Sequence, residues 1–205
     1  MLHFPTLARP VPAAITAVCV FGGAHSGRDH CLAASTAALG RCIGHAGLRL
    51  VYGGGDAGLM ACAARAAHEY GSEIVAIAPR FFTERADWTE PLDQEIVVPD
   101  MGMRKRLMFE YADAFIALPG GIGTIEELAE VMTLAKLGRH TKPIVLANFG
   151  GFWTPWLDFL AHLAASGFTD VSEGCAVVED PEVILAALGH QPPIAADALP
   201  IRRFR

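Results

Sequence analysis

The segment AFIALPGGIGTIEELAEVM (114–132) reads in three parts. AFIAL (114–118) is an unbroken apolar run, the mark of a strand covered on both faces. PGGIGT (119–124) is a glycine-rich turn. IEELAEVMTLAKLG (125–138) has amphipathic spacing and predicts a helix, with Thr124 placed to cap it. A buried strand that runs through a short glycine turn into a helix is the βα unit of a parallel sheet.

The same unit recurs on both sides. Apolar, β-branched runs at ITAVCVF (15–21), LRLVY (48–52), IVAIA (74–78), EIVV (95–98) and KPIVLAN (142–148) predict strands, with CAVVE (175–179) as a weak edge strand. Helical stretches alternate with them at 30–47, 59–71, 101–112, 153–167 and 181–189. The polar and aromatic stretch 79–94 reads as a loop. The fold expected is α/β, a doubly wound, Rossmann-like parallel sheet with helices on both faces. One domain covers 1–205; 1–12, with three prolines, and 191–205 read as loose ends.

Bulk properties exclude several functions. Hydrophobic residues make up 52% of the chain, so disorder is not expected. The net charge of −6 and the lack of a basic block argue against a nucleic-acid surface or a polybasic membrane patch. VPAAITAVCVFGGA (11–24) is too short to span a bilayer and reads as a core strand rather than a signal peptide. The five cysteines form no C-x-x-C pair, which suits a reducing compartment, the cytoplasm. No Cys/His spacing suits zinc, and no H-E-x-x-H is present, so no metal is expected.

In a doubly wound sheet, ligands bind at the carboxyl ends of the strands, beside the point where strand order reverses. GGGDAG (53–58) formally contains G-x-G-x-x-G after a strand. The acid that would hold a dinucleotide's ribose is missing, because IVAIA runs into Pro79 and Arg80. Gly53, Gly54 and Gly55 therefore serve either a tight turn or a close approach of backbone to ligand. PGGIGT is more telling. Its backbone N–H groups can face one point, and the helix N-terminus adds about half a positive charge, so a phosphate is the natural guest.

Two acids follow at once. Either Glu126 and Glu127 complement the helix dipole, or one of them addresses the next part of a phosphorylated molecule, the anomeric carbon of a sugar. Arg104, Lys105 and Arg106 open a helix just upstream. The triplet forms a solvated face, or Arg104 and Lys105 neutralise a phosphate or orient a carboxylate. His25 sits in a strand-end loop and could reach a ligand. Phe152, Trp153, Trp156 and Phe159 read as core, or as a subunit contact.

M-x-x-R-K (Met101, Arg104, Lys105) followed by P-G-G-x-G-T-x-x-E (Pro119, Gly120, Gly121, Gly123, Thr124, Glu127) resembles the Lonely Guy family, the cytokinin riboside 5′-monophosphate phosphoribohydrolases. The resemblance extends through CVFGGAHSG (19–27), LVYGGGDAGLM (50–60), IAPRFF (77–82) and LGRHTKPIVLANFGGFW (137–153). It implies hydrolysis of the N-glycosidic bond of a nucleoside 5′-monophosphate to free base and ribose 5-phosphate, without metal or cofactor, by a homodimer or larger homo-oligomer. By the family pattern the catalytic pair is Arg104 and Glu127. The substrate contacts are Arg104, Lys105, Gly120, Gly121, Ile122, Gly123, Thr124, Ile125 and Glu126. Three departures from the plant pattern fall where a base would be recognised: Gly102 in place of His, Ala86 in place of Glu (with Glu84 nearby), and GGAH (22–25) in place of C-G-S-S. They leave the base open between a cytokinin and plain adenine. Molybdenum-cofactor carriers resemble the same fold, so a non-catalytic carrier is the alternative.

Overall fold

A computed structural model describes residues 14–83, 92–168 and 175–189. The two ends read as loose, together with Glu84 and Ala86, lie outside the described residues. Seven strands form one all-parallel sheet: β1 Ala17–Phe21, β2 Arg49–Tyr52, β3 Ile74–Pro79, β4 Gln94–Val98, β5 Ala114–Ala117, β6 Ile144–Ala147 and β7 Ala176–Val178. They are ordered β4-β3-β2-β1-β5-β6-β7. The helices are α1 His30–His45, α2 Gly58–Glu69, α3 Arg80–Thr83, α4 Met101–Glu110, α5 Ile122–Lys136, α6 Thr154–Ala165 and α7 Ile184–Ala187.

The apolar runs explain the layers. No residue of β1 is more than 3% exposed. Val18 and Val20 face one core with Leu39 and Ile43 of α1, Leu59 and Ala63 of α2, and Ile184 of α7. Cys19 and Phe21, pointing the other way, meet Met108 of α4, Leu128 and Val131 of α5, and Trp153. Each large apolar side chain fully removed from water contributes about 1.5–3 kcal/mol. Both faces of the strand are therefore held by packing, and a slip would put each side chain into the core shaped for its neighbour.

Two elements differ from the sequence reading. The stretch 79–94 is not wholly irregular, because Arg80–Thr83 forms α3. More consequentially, α5 begins at Ile122, three positions before IEEL, with Gly121 as its N-cap. Gly121 is extended (φ −91°, ψ −158°), and its carbonyl already accepts from the Ile125 N–H at 3.1 Å, so the first turn closes over Gly123 and Thr124. Thr124 is thus a buried residue of that turn and not the cap. The first turn carries no acid, which removes the dipole explanation for Glu126 and Glu127.

The strand order reverses between β1 and β5, and the loops leaving these two strands are knitted together. Gly23 N–H donates to the Pro119 carbonyl (3.0 Å), and Leu59 N–H at the start of α2 donates to the Gly23 carbonyl (2.9 Å). The glycine turn therefore opens at the topological switch point.

Candidate active site

A cavity of about 460 Å³ lies over this switch point, within the range of small-molecule sites. One end is the glycine turn. α5 geometry gives the N–H groups of Ile122, Gly123 and Thr124 no intrahelical partner, and the helix dipole reinforces them, so the turn suits an anion. Gly120 leaves the turn its space: a Cβ there would overlap the Thr124 hydroxyl and crowd the Gly23 amide.

The floor is an ion pair. α4 starts after Asp100, whose carboxylate accepts the Met103 N–H at 2.8 Å. One turn on, the Arg104 side chain passes against Gly53, where any Cβ would overlap the guanidinium. Its Nε donates to the Ile77 carbonyl (3.2 Å), its Nη1 donates to Glu127 Oε1 (2.8 Å), and its guanidinium carbon lies 5.9 Å from the Phe82 ring centre. Arg104 and Glu127 are each only 6% exposed. Burial pushes the Glu127 carboxyl above the ordinary glutamate range; Arg104 opposes that rise and Glu126 adds to it. Because the two charges cancel, the pair itself has little net pull on an anion. That task falls to the α5 amides. Glu127 is five residues along α5 from Ile122, about 7.5 Å along the axis at 1.5 Å per residue. The carboxylate thus lies farther along the same helix than the turn, within one cavity.

The residues singled out from sequence separate into groups. Arg104, Gly120, Gly121, Gly123, Thr124 and Glu127 line this one cavity. His25 lines it too. Lys105 and Glu126 do not; they are paired with each other, and Glu130 joins them at 2.8 Å from Lys105 Nζ. The Ile122 side chain is 82% exposed, so only its backbone is placed for binding. Ile125 packs against the core beneath α5. Gly53 lies against the Arg104 guanidinium, and Gly54 and Gly55 shape the turn with φ of +79° and +96°. Gly53, Gly54 and Gly55 do not line the cavity.

Sequence reasoning missed the apolar wall of Leu32, Leu59, Met60, Phe82 and Phe152. These residues come from four separate segments, and their convergence carries no local signal. The aromatic patch splits. Trp153 is core, 1% exposed, with its indole N–H on the Ala117 carbonyl (3.1 Å), while Phe152 faces the cavity and Phe159 faces outward. Among the described residues no group of three or more His, Cys, Asp or Glu side chains is placed to hold a metal, and no helix is long and apolar enough to cross a membrane.

A family model described as "Possible lysine decarboxylase" matches residues 60–188. Over 184 residues the chain is 42% identical to a cytokinin riboside 5′-monophosphate phosphoribohydrolase of Rhodococcoides fascians, covering 88% of this chain and 91% of that one. The chain belongs to the Lonely Guy family. Another relative, the Arabidopsis thaliana protein of the same description called LOG5, is 40% identical over 164 residues, 80% of this chain and 72% of its own. Among solved structures, the molybdenum cofactor carrier protein of Chlamydomonas reinhardtii superposes with a TM-score of 0.65 at 23% identity, covering 84% of this chain and 95% of that one. At that identity the carrier shares the fold, and nothing more follows. In this family member the M-x-x-R-K and P-G-G-x-G-T-x-x-E motifs meet as the buried Arg104–Glu127 pair.

Proposed function

We propose that this protein is a phosphoribohydrolase that cleaves the N-glycosidic bond of a nucleoside 5′-monophosphate, releasing free base and ribose 5-phosphate. The observation that carries the reading is the buried Arg104–Glu127 pair one helical turn beyond an amide-lined anion site in the same cavity. The 5′-phosphate binds at Gly120–Thr124 and positions the sugar. As the C1′–N bond breaks, positive charge develops on the ribose, and the Glu127 carboxylate stabilises it. Glu127 also takes a proton from the water whose hydroxyl adds to C1′. The base leaves with the bonding electron pair and is protonated in its turn, so the sum is one water consumed. Arg104 opposes the effect of burial on the carboxyl and aims it.

The apolar wall takes the base. The relatives named above are cytokinin riboside 5′-monophosphate phosphoribohydrolases, and that substrate or AMP is the one proposed here. Of the sequence departures, GGAH (22–25) lines the cavity beside the glycine turn, whereas Gly102 lines the neighbouring α4–α5 cleft, so the base stays open between a cytokinin and plain adenine. The protein acts as a homodimer or larger homo-oligomer in the cytoplasm; its five cysteines are unpaired, which fits a reducing compartment. The carrier reading has fold similarity alone behind it, and a carrier has no use for a buried acid beside a bound anion.

The test is incubation with a panel of nucleoside 5′-monophosphates, including AMP and a cytokinin riboside 5′-monophosphate, followed by chromatography. Free base with stoichiometric ribose 5-phosphate is expected. Tight binding with every nucleotide recovered intact supports the carrier instead.

A further inference from the structure

His140 and Lys142 lie in the loop between α5 and β6, away from the substrate cavity. The Lys142 N–H donates to His140 Nδ1 at 3.1 Å, so that nitrogen is the ring's acceptor and the ring hydrogen sits on Nε2. His140 Nε2 then donates to the Val131 carbonyl of α5 at 2.8 Å. The Lys142 ammonium reaches the other way. It donates to the Phe109 carbonyl near the end of α4 at 2.6 Å, and lies 4.1 Å from the centre of the Phe109 ring. Burial pushes the pKa of this ammonium down and Asp113 opposes the fall. Rings lock the pair in place. The His140 edge meets Phe109 and Phe115 at 5.1 and 5.8 Å, Phe109 stacks on Phe115 at 5.5 Å, and Phe115 stacks on Phe21 at 5.7 Å. Two neighbouring side chains thus join α5 to α4 over the aromatic faces of β5 and β1.

The helices so joined are the two that carry the reacting pair. α4 rests on β3 and β4, and α5 rests on β1. Arg104 and Glu127 therefore meet across elements that stand on different strands, and their geometry depends on how those elements are held. Val131 is four residues beyond Glu127 on α5, and Phe109 is five beyond Arg104 on α4. Both anchors lie within about one and a half turns of the pair. A misplacement of about 1 Å by a change remote from the chemistry can cost about 100-fold in rate.

We infer that His140 and Lys142 are positioning residues that act as one clasp, holding α5 to α4 so that Glu127 stays aimed by Arg104. This rests on the phosphoribohydrolase reading for its kinetic readout. The glycine turn is fixed separately, by the bond from the Gly23 N–H to the Pro119 carbonyl, so the clasp bears on the chemical step and not on the grip on phosphate.

The test compares His140→Phe, His140→Gln, Lys142→Met and the double variant His140→Phe/Lys142→Met. Each is assayed on AMP or another monophosphate the wild type cleaves, with ribose 5-phosphate as inhibitor. Phe keeps a ring at 140 without either hydrogen bond, Gln keeps a donor at the reach of Nε2, and Met keeps the stem of Lys142 without its ammonium. His140→Phe and Lys142→Met are each expected to lower kcat by about 10- to 100-fold. The inhibition constant of ribose 5-phosphate should stay within about two-fold, the mark of a lost transition-state interaction rather than lost binding. His140→Gln should restore most of the rate. The double variant should be no slower than the slower single one, because a single link can be cut only once. Losses that multiply in the double variant overturn the clasp. So does a loss confined to melting temperature, with kcat per folded molecule unchanged. If the wild type cleaves no monophosphate, the functional reading fails and a crystal structure of His140→Phe judges the clasp alone. An Arg104–Glu127 contact lengthened from its present 2.8 Å supports it, and an unchanged contact overturns it.

Discussion

Two adjacent glutamates in α5 have opposite fates, and helix geometry explains why. Successive residues are rotated by about 100° around a helix, so Glu127 turns inward while Glu126 stays half-exposed beside Lys105. Replacing Glu127 by Gln keeps shape and most hydrogen bonding but removes the charge. The expected result is a fall in kcat of about 10²–10⁴-fold with ribose 5-phosphate binding retained. Turnover near the wild-type value in a steady-state assay would remove Glu127 from the chemistry. The acid limb of the pH profile follows from the same residue. Burial raises the Glu127 pKa, so the carboxyl holds its proton to a higher pH than an ordinary glutamate. The working form is the anion, so kcat/KM should climb with pH through an apparent pKa above the ordinary glutamate range. Stability runs the other way. A raised folded pKa contributes stability below the ordinary value, and that contribution is lost as pH rises through the raised one. The ionised acid is thus held in place by Arg104 at a cost to the fold.

At the scale of elements, the site depends on β1 and β5 lying side by side, and Asp113 fastens their starts. Its carboxylate accepts from the Thr16 N–H and hydroxyl, both at 2.8 Å, and from the Ala17 N–H at 3.0 Å. Burial alone would raise its pKa, but the bonds from Thr16 and Ala17 outweigh that and hold it below the ordinary aspartate range. The sign is then opposite to that of Glu127. The contribution to stability is present above the ordinary aspartate pKa and is lost as pH falls through the depressed one. Asp113→Ala should destabilise the protein by about 1 kcal/mol, because the site is partly open to solvent. That corresponds to a fall in melting temperature of about 2–4 °C for a chain of this size. Scanning calorimetry at neutral pH, and again at a pH below the ordinary aspartate range, should show the difference between variant and wild type shrinking with acid. A constant difference would mean that the carboxylate's charge plays no part.

For the molecule as a whole, the strands were legible because burial on both faces leaves a short unbroken apolar run, as in AFIAL and ITAVCVF, bounded by glycine turns that set it apart from a buried helix. The glycine turn was legible through Gly120, Gly121 and Gly123. The true start of α5 was not, because Ile122 and Gly123 are poor helix formers and only the 3.1 Å bond from Ile125 to Gly121 reveals the earlier turn. The partners of Lys105, Glu126 and Glu130, were not legible either: they lie 21 and 25 positions away, and spacing carries no sign of proximity. What neither spacing nor composition conveyed is that the cavity is assembled from both halves of the sheet. Arg104 belongs to the β3–β4 side and is held by the Ile77 carbonyl, whereas the glycine turn belongs to β5. A ligand that bridges them ties the halves together, so binding should be read as global stability. At 100 times its dissociation constant a ligand stabilises the native state by about 2.7 kcal/mol, which at 2–4 °C per kcal/mol is a rise in melting temperature of about 5–11 °C. Ribose 5-phosphate should produce this rise in the wild type and in Glu127→Gln, since both keep the amide site. Gly120→Ala, whose methyl group would collide with Thr124, should fold and melt without responding to it. A full response in Gly120→Ala would place the phosphate somewhere other than the glycine turn.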